Sequence, residues 1–361
     1  MARLPFTVAS CAPLPPHVVQ TLEASFDTFI HKPPSSSTPF TPAELAKIQI
    51  FFTSWYGIPQ ASFDEVPNLK LVQLCTAGAD KALRGASIEE YVGKVKRGEE
   101  GGREVVLATA AGTHVLSIPN YVVGMVIALL HQFPRQMIGA RDERRWLSPE
   151  ECDIDNKPYY ARKTYQRTAG FLGYGCLGRE SARLLKAHNM RIIAANTSGK
   201  ATSQDGFILP HTGDVDGFIP EAYYSTKDPK AVKEFLGQCD ILVCSVPNTP
   251  ETKYFMNKER LAMLPQSAVL VNVGRGSLIP SDDLLTALDT NLFGAAIDVT
   301  DPEPLPPNHP LWSHPKCIIT PHLAGNAEGE MDVAAEVLLE NARRLADGRA
   351  LLNKVEWERG Y

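Results

Sequence analysis

Three short segments in the last third of the chain share one character, an apolar run that ends in a polar, reactive residue. They are Val271-Asn272-Val273-Gly274-Arg275-Gly276, Asp298-Val299-Thr300-Asp301-Pro302-Glu303-Pro304 and Thr320-Pro321-His322-Leu323-Ala324-Gly325. Hydride delivery to a ketone carbon leaves charge on oxygen, so it calls for a proton donor and a cation close by. Histidine is the usual donor near neutral pH. A carboxylate on its far nitrogen fixes the tautomer and favours the protonated ring. An arginine holds a substrate carboxylate in a planar fork that lysine cannot match. Taken singly, each residue has a plainer reading: His322 as a satisfied core histidine, Arg275 as a surface ion-pair residue, Glu303 as a loop carboxylate in a proline-rich turn.

A fourth segment, Phe171-Leu172-Gly173-Tyr174-Gly175-Cys176-Leu177-Gly178, is an apolar strand running into GxGxxG and then into a helix. Gly173 would make the tight turn, Gly175 would let the backbone approach a pyrophosphate, and Gly178 would let helix and strand pack closely. Cys176 and Leu177 would then offer first-turn N–H groups to phosphate. The test of cofactor type comes about 18 residues past Gly178, where NAD enzymes carry an acidic residue for the ribose hydroxyls. Asn196-Thr197-Ser198-Gly199-Lys200 stands there instead. A carboxylate would repel a 2′-phosphate, whereas these side chains can donate to one, so NADP is preferred over NAD. The alternative is an NAD enzyme that binds ribose through neutral hydrogen bonds.

The elements that must position these residues follow from periodicity. In the first third, strands fall at 6–10, 48–53, 69–75 and 105–109, with helices at 17–26 and 88–96, an alternation that implies a parallel sheet covered by helices. Residues 32–39 and 98–102 read as exposed loops. Pro119 opens one long helix, 120 to about 141, apolar nearly all round at first and so buried on several sides. A second series follows: strands at 168–172, 190–195, 241–244, 269–272, 294–298 and 317–320, and helices at 177–189, 228–236, 282–289 and 327–346. Residues 199–225 have no period and read as a long irregular insertion.

With 361 residues, 44% hydrophobic and 21% charged, two globular domains are expected. A net charge of -5 argues against nucleic acid or an anionic membrane as partner. The longest apolar run, 121–130, falls short of the roughly 18 residues a membrane span needs. The start, Met1-Ala2-Arg3-Leu4-Pro5-Phe6, does not read as a secretory signal. Seven cysteines, at 11, 75, 152, 176, 239, 244 and 317, form no CxxC or Cys/His pattern of zinc spacing, so no metal is expected. Reduced thiols in a cytoplasmic protein are the expectation.

Together, the three reactive segments and the glycine loop resemble the D-isomer-specific 2-hydroxyacid dehydrogenases, a family that includes glyoxylate/hydroxypyruvate reductases. The likeness is close over residues 165–325. It takes in Val246-Pro247-Asn248-Thr249-Pro250-Glu251-Thr252, similar to the family's stretch beside the adenosine. It is looser in the first third, where Gln73-Leu74-Cys75-Thr76-Ala77-Gly78-Ala79-Asp80 matches the substrate-carboxylate loop. The resemblance implies an α/β fold of two doubly wound parallel-sheet domains. A Rossmann dinucleotide domain, 119–325, would be inserted in a flavodoxin-like substrate domain made of 1–118 and 326–361, with the active site in the cleft and a homodimer formed through the long helix. It makes His322 the acid/base, Glu303 its partner, and Arg275 the residue that binds the substrate carboxylate and carbonyl. Backbone N–H groups of Ala77, Gly78 and Ala79 would hold the carboxylate, and Asp298 would sit by the nicotinamide amide. Val246, Pro247, Thr252, Val273 and Gly274 would line the cofactor, and Trp55 and Tyr56 would admit a bulkier or aromatic substrate side chain.

Departures also inform. Pro119-Asn120 stands where the family often has Ala-Glu, and insertions at 88–103 and 199–225 lengthen loops, the second beside the ribose site. Glutamate at 303 disfavours a formate dehydrogenase, which uses glutamine there, and no basic cluster supports a phosphoglycerate-type enzyme. The expected activity is interconversion of a small 2-oxo acid and a D-2-hydroxy acid. The rival from another class is a dinucleotide-sensing corepressor of the same fold that turns over no substrate.

Overall fold

A computed structural model of the chain describes residues 2–36, 38–99 and 104–357. Position 37 of the 32–39 loop, most of the loop at 98–102 and the end of the insertion at 88–103 therefore lie outside the described residues. The chain separates into two compact units, 1–114 with 205–208 and 327–361, and 115–204 with 209–326.

The first unit is built on five parallel strands: β1 (Leu4–Ser10), β2 (Phe26–His31), β3 (Ile50–Thr53), β4 (Leu71–Leu74) and β5 (Val106–Ala108), in the order β2-β1-β3-β4-β5. That order is flavodoxin-like. β3 and β4 are buried throughout, as continuous apolar strands covered on both faces must be. β2 has no counterpart in the sequence reading. It is an edge strand with only its first residue buried, so the burial pattern that marks central strands is missing from Phe26-Asp27-Thr28-Phe29-Ile30-His31. The last helix, Glu330–Ala346, returns to this unit and packs Ala334, Ala335, Leu338 and Ala342 with Phe6, Val8 and Phe52. Its buried Asn341 donates to Gln73 Oε1 (2.7 Å) and accepts from the Leu352 amide, while Gln73 donates to the carbonyls of Leu74 and Thr109.

The second unit carries seven parallel strands: β6 (Thr168–Leu172), β7 (Arg191–Asn196), β8 (Ala222–Ser225), β9 (Ile241–Cys244), β10 (Ala268–Asn272), β11 (Leu292–Ile297) and β12 (Cys317–Ile319). Their order is β12-β11-β10-β9-β6-β7-β8, with the reversal of winding between β6 and β9. One face packs Leu172, Leu242 and Leu270 with Val232 and Leu284 from the helices Pro229–Leu236 and Ser281–Thr290. The other packs Phe171, Val243 and Val271 with Val122 and Val126 of Ile118–Leu130 and with Ala182 and Leu185 of Cys176–Ala187.

Three expectations are corrected. The single helix over 120–141 is two, Ile118–Leu130 and Phe133–Glu143. Pro134 cannot donate to the Leu130 carbonyl and would crowd it, and Gln132 adopts a left-handed φ of 52°. Its side chain is meanwhile engaged by the Ile154 amide and Asp153. The insertion 199–225 is not wholly irregular, since its end forms β8, the sheet's edge. Finally, Thr113–Leu130 does reach 18 residues at a mean hydropathy of 1.6, long and apolar enough to cross a membrane. Thr113, His114, Ser117 and Asn120 break the apolar run without lowering its average enough. Val122, Val126, Leu129 and Leu130 are buried against the sheet, and 44% of the window is buried in all.

Candidate active site

The three reactive segments leave the carboxyl ends of β10, β11 and β12, consecutive strands of one parallel sheet, and the glycine turn leaves β6 two places further on. Ligands of open α/β sheets bind at such ends, near the point where winding reverses.

His322 follows β12 with φ 57°, a conformation uncommon for a residue with a side chain. It is held there by its own N–H, which donates to the carbonyls of Asp298 (2.8 Å) and Thr320 (3.0 Å). The Asp298 carboxylate, 4% exposed, accepts from Thr320 Oγ1 (2.5 Å), the Leu323 amide (3.0 Å) and the Ala324 amide (3.0 Å). Tyr121 Oη bonds the same Thr320 hydroxyl at 2.8 Å, and burial pushes this phenol up to about 12. So fixed, His322 turns Nδ1 to Glu303 Oε1 at 2.8 Å, with both side chains partly open to solvent. Imidazole and carboxylate, 19 positions apart in sequence, are brought together.

Arg275 belongs to a turn bracketed by buried Asn272, whose Nδ2 donates to the Arg275 carbonyl (3.1 Å) and whose Oδ1 accepts from the Gly274 amide (3.1 Å). Arg275 Nη1 donates to the Gly274 carbonyl at 2.9 Å. Gly276 lies so close to the Thr300 carbonyl that no side chain could fit, which locks the Arg275 turn to the loop bearing Glu303.

The glycine turn behaves as its spacing predicts. Gly173 has φ 89°, and a Cβ there would press on Val246 Cγ1 at 2.9 Å. A Cβ on Gly178 would come 2.6 Å from the Gly173 carbonyl, so strand and helix can approach only through glycine. At Gly175 an added Cβ would meet nothing within 4 Å, and no side chain caps the helix that begins there with Cys176 and Leu177. The donors and the open side fit a pyrophosphate. Gly274 lies against the Val246 backbone, the Val273 amide donates to the Cys244 carbonyl (3.1 Å), and the Thr252 hydroxyl donates to the Pro247 carbonyl, closing the adjoining turn.

At the end of β7, Asn196 is occupied. Its Oδ1 accepts from Gly199 N (2.7 Å) and Ser198 Oγ (3.1 Å), and its Nδ2 donates to the Lys200 carbonyl (2.9 Å). Asn196 therefore shapes the loop, while Thr197, Ser198 and Lys200 are exposed on it. In the first unit, β4 ends in the loop 76–79, where Thr76 Oγ1 donates to the Gly78 carbonyl (3.0 Å). Trp55 is half exposed, with Lys81 Nζ 5.4 Å from its ring, and Tyr56 Oη donates to the Cys11 carbonyl at 2.6 Å.

Residues 123–324 match the family model of the NAD-binding domain of D-isomer specific 2-hydroxyacid dehydrogenases. The chain belongs to this family. A curated relative from Corynebacterium melassecola, an uncharacterized protein in the proB 3′ region, is 31% identical over 301 residues, 83% of this chain and 86% of the relative. A D-isomer specific 2-hydroxyacid dehydrogenase from Xanthobacter autotrophicus Py2, solved with NADPH and MES, is 25% identical with a TM-score of 0.73 over 99% of this chain and 100% of its own. An NADPH-dependent glyoxylate/hydroxypyruvate reductase from Sinorhizobium meliloti, solved with NADP and sulfate, shares the fold at 24% identity, a TM-score of 0.72 and the same coverage.

This dehydrogenase is thus an NAD(P)-dependent oxidoreductase of small 2-hydroxy acids. Reading the sequence missed the residues that hold the candidate site residues in place: Asn272 behind Arg275, and Thr320 and Tyr121 behind His322. One signal was available, since Asn272 is a polar residue closing a strand that is otherwise fully apolar. The bond between Tyr121 and Thr320, 199 positions apart, had none.

Proposed function

We propose that this enzyme reduces a small 2-oxo acid to the D-2-hydroxy acid, with NADPH preferred over NADH and His322 as the proton donor. The observation that carries the reading is the 2.8 Å contact between His322 Nδ1 and Glu303 Oε1. It commits Nδ1–H to the carboxylate and leaves Nε2, which bonds to no described residue, for the substrate oxygen. When bound, the dinucleotide supplies the hydride. Arg275 orients the substrate carboxylate and polarises the carbonyl, and His322 Nε2–H protonates the oxygen as charge develops on it. Glu303 holds the ring by Nδ1 and so fixes its orientation for the transfer. The Ala77, Gly78 and Ala79 amides, which donate to no acceptor among the described residues, hold the carboxylate, and Trp55 and Tyr56 contact the side chain.

The cofactor preference is supported by the lack of a carboxylate at Asn196 and by the exposed donors of Thr197, Ser198 and Lys200. A homodimer is supported by Phe133, Met137 and Ile138, apolar and exposed on one helix. A cytoplasmic location is consistent with seven free thiols.

The test is steady-state loss of NADPH, then NADH, with glyoxylate, hydroxypyruvate and phenylpyruvate. Turnover of at least one, with NADPH favoured, is expected. A protein that binds NADPH yet reduces none of them is instead a dinucleotide sensor.

A further inference from the structure

The insertion 199–225 is joined to the glycine turn through one buried cation. Arg179, directly after Gly178, is 3% exposed, and its guanidinium reaches three separate backbone stretches. Nε donates to the Tyr174 carbonyl, between the first two glycines, at 3.1 Å. Nη2 donates to Thr202, at 2.7 Å to the carbonyl and 3.1 Å to the hydroxyl. Nη1 donates to the Asp214 carbonyl at 2.6 Å. The Tyr174 ring lies 5.0 Å from the same guanidinium, and its hydroxyl donates to Asp214 Oδ2 at 2.8 Å.

Asp214 is itself 8% exposed and fully engaged, accepting the Phe218 amide on Oδ1 (3.0 Å) and the Ile219 amide on Oδ2 (2.9 Å). One helical position on, Glu180 Oε2 accepts the Gly213 amide at 2.6 Å. Gly217, at φ 76°, passes so near the Thr202 carbonyl that a Cβ would sit 2.5 Å from it. A cation this buried costs desolvation, which good geometry and a full set of acceptors must offset. A folding role alone would not require it to grip, at once, the turn expected to face pyrophosphate and the chain just past Lys200.

We propose that Arg179, with Tyr174 and Asp214, is a positioning hub that sets the ribose loop 196–202 against the glycine turn and so tunes dinucleotide affinity and the choice between NADPH and NADH. The inference rests on the dinucleotide reading above but not on any particular 2-oxo acid. Tyr174 fixes the glycine turn from behind and acts on the pyrophosphate common to both dinucleotides. Arg179 also fixes Thr202 and therefore acts in addition on the end where the two differ. Lysine at 179 retains the charge, but its compact ammonium cannot span the four acceptor atoms that the planar guanidinium reaches.

Equilibrium binding of NADPH and NADH, followed by nicotinamide fluorescence, tests this on the whole protein without turnover. Tyr174→Phe is expected to weaken both by a similar factor, roughly five- to tenfold, the loss of one hydrogen bond to a carboxylate. Arg179→Lys is expected to add a loss confined to NADPH, lowering the NADPH-over-NADH ratio by about tenfold. In kinetics the change should fall on dinucleotide KM rather than on kcat. Equal loss of both dinucleotides in Arg179→Lys, or wild-type affinity in either variant, overturns the inference alone. A wild-type protein that binds neither dinucleotide overturns it together with the dinucleotide reading. Should Arg179→Lys fail to fold, Tyr174→Phe, which removes a single oxygen, still decides: wild-type binding of both dinucleotides refutes the hub.

Discussion

His322 illustrates how much construction one reactive side chain requires. Its left-handed backbone is a conformation that costs about 1–3 kcal/mol and persists only where the surroundings over-determine it. Asp298, accepting three bonds from the same loop, and Thr320 supply that determination. Removal of the ring in His322→Ala is expected to lower kcat for 2-oxo acid reduction on the order of a thousandfold. Glu303→Gln keeps an acceptor opposite Nδ1 but a weaker, uncharged one, so the ring is held less firmly. Turnover should fall, as measured by initial rates of 2-oxo acid reduction. Unchanged turnover would remove Glu303 from its role. Cys75 makes a different prediction. Burial pushes its thiol up to about 11, so in the folded chain it stays protonated at neutral pH and should resist alkylation until the protein unfolds. Because the folded state holds that proton more tightly than the unfolded chain, stability should decline as pH rises from the ordinary thiol range toward about 11. Denaturant midpoints measured over that range report it.

Single helices and strands carry the positions of these residues, and their boundaries follow from local chemistry. The glycine turn needs Gly173 for its backbone angle and Gly178 for close approach, and both requirements were legible in the spacing. The break between Ile118–Leu130 and Phe133–Glu143 was also written locally, in Pro134, yet strong apolar periodicity concealed it. The helix Glu330–Ala346 is tied to β4 by Asn341, fully buried, through Gln73. Replacing Asn341 with Ala strands the buried Gln73 Oε1 away from water. A loss of about 1–3 kcal/mol in unfolding free energy is expected for this group left unsatisfied. An unchanged urea midpoint would mean that it finds another partner.

For the molecule as a whole, the exposed apolar side chains are the main feature that one chain leaves unexplained. Met137 is 69% exposed, Ile138 50% and Phe133 39%, all on Phe133–Glu143. If this face is the proposed dimer contact, light scattering should give twice the mass of one chain, and Met137→Glu with Ile138→Lys should shift it toward monomer. A wild-type monomer at micromolar concentration would refute the dimer.

The sequence by itself determined the class of the fold, the glycine turn and the three reactive residue types, because each depends on local signals: strand periodicity, glycine spacing, and polar residues closing apolar strands. Two of the four edge strands, β2 and β8, escaped it, since β2 breaks its apolar run with Asp27 and Thr28 and β8 is a four-residue strand at the end of an aperiodic stretch, whereas the edges β5 and β12 carry apolar runs. The family resemblance implied that His322 meets Glu303, and the tertiary structure brings them together; it alone decided that Asp298 is anchored in the loop of His322 and that the insertion returns to Arg179. Those pairings join residues 19 to 35 positions apart in chain order, and nothing in local propensity sets them. They depend on which strands become neighbours in the sheet and on the need of each buried polar group for a partner.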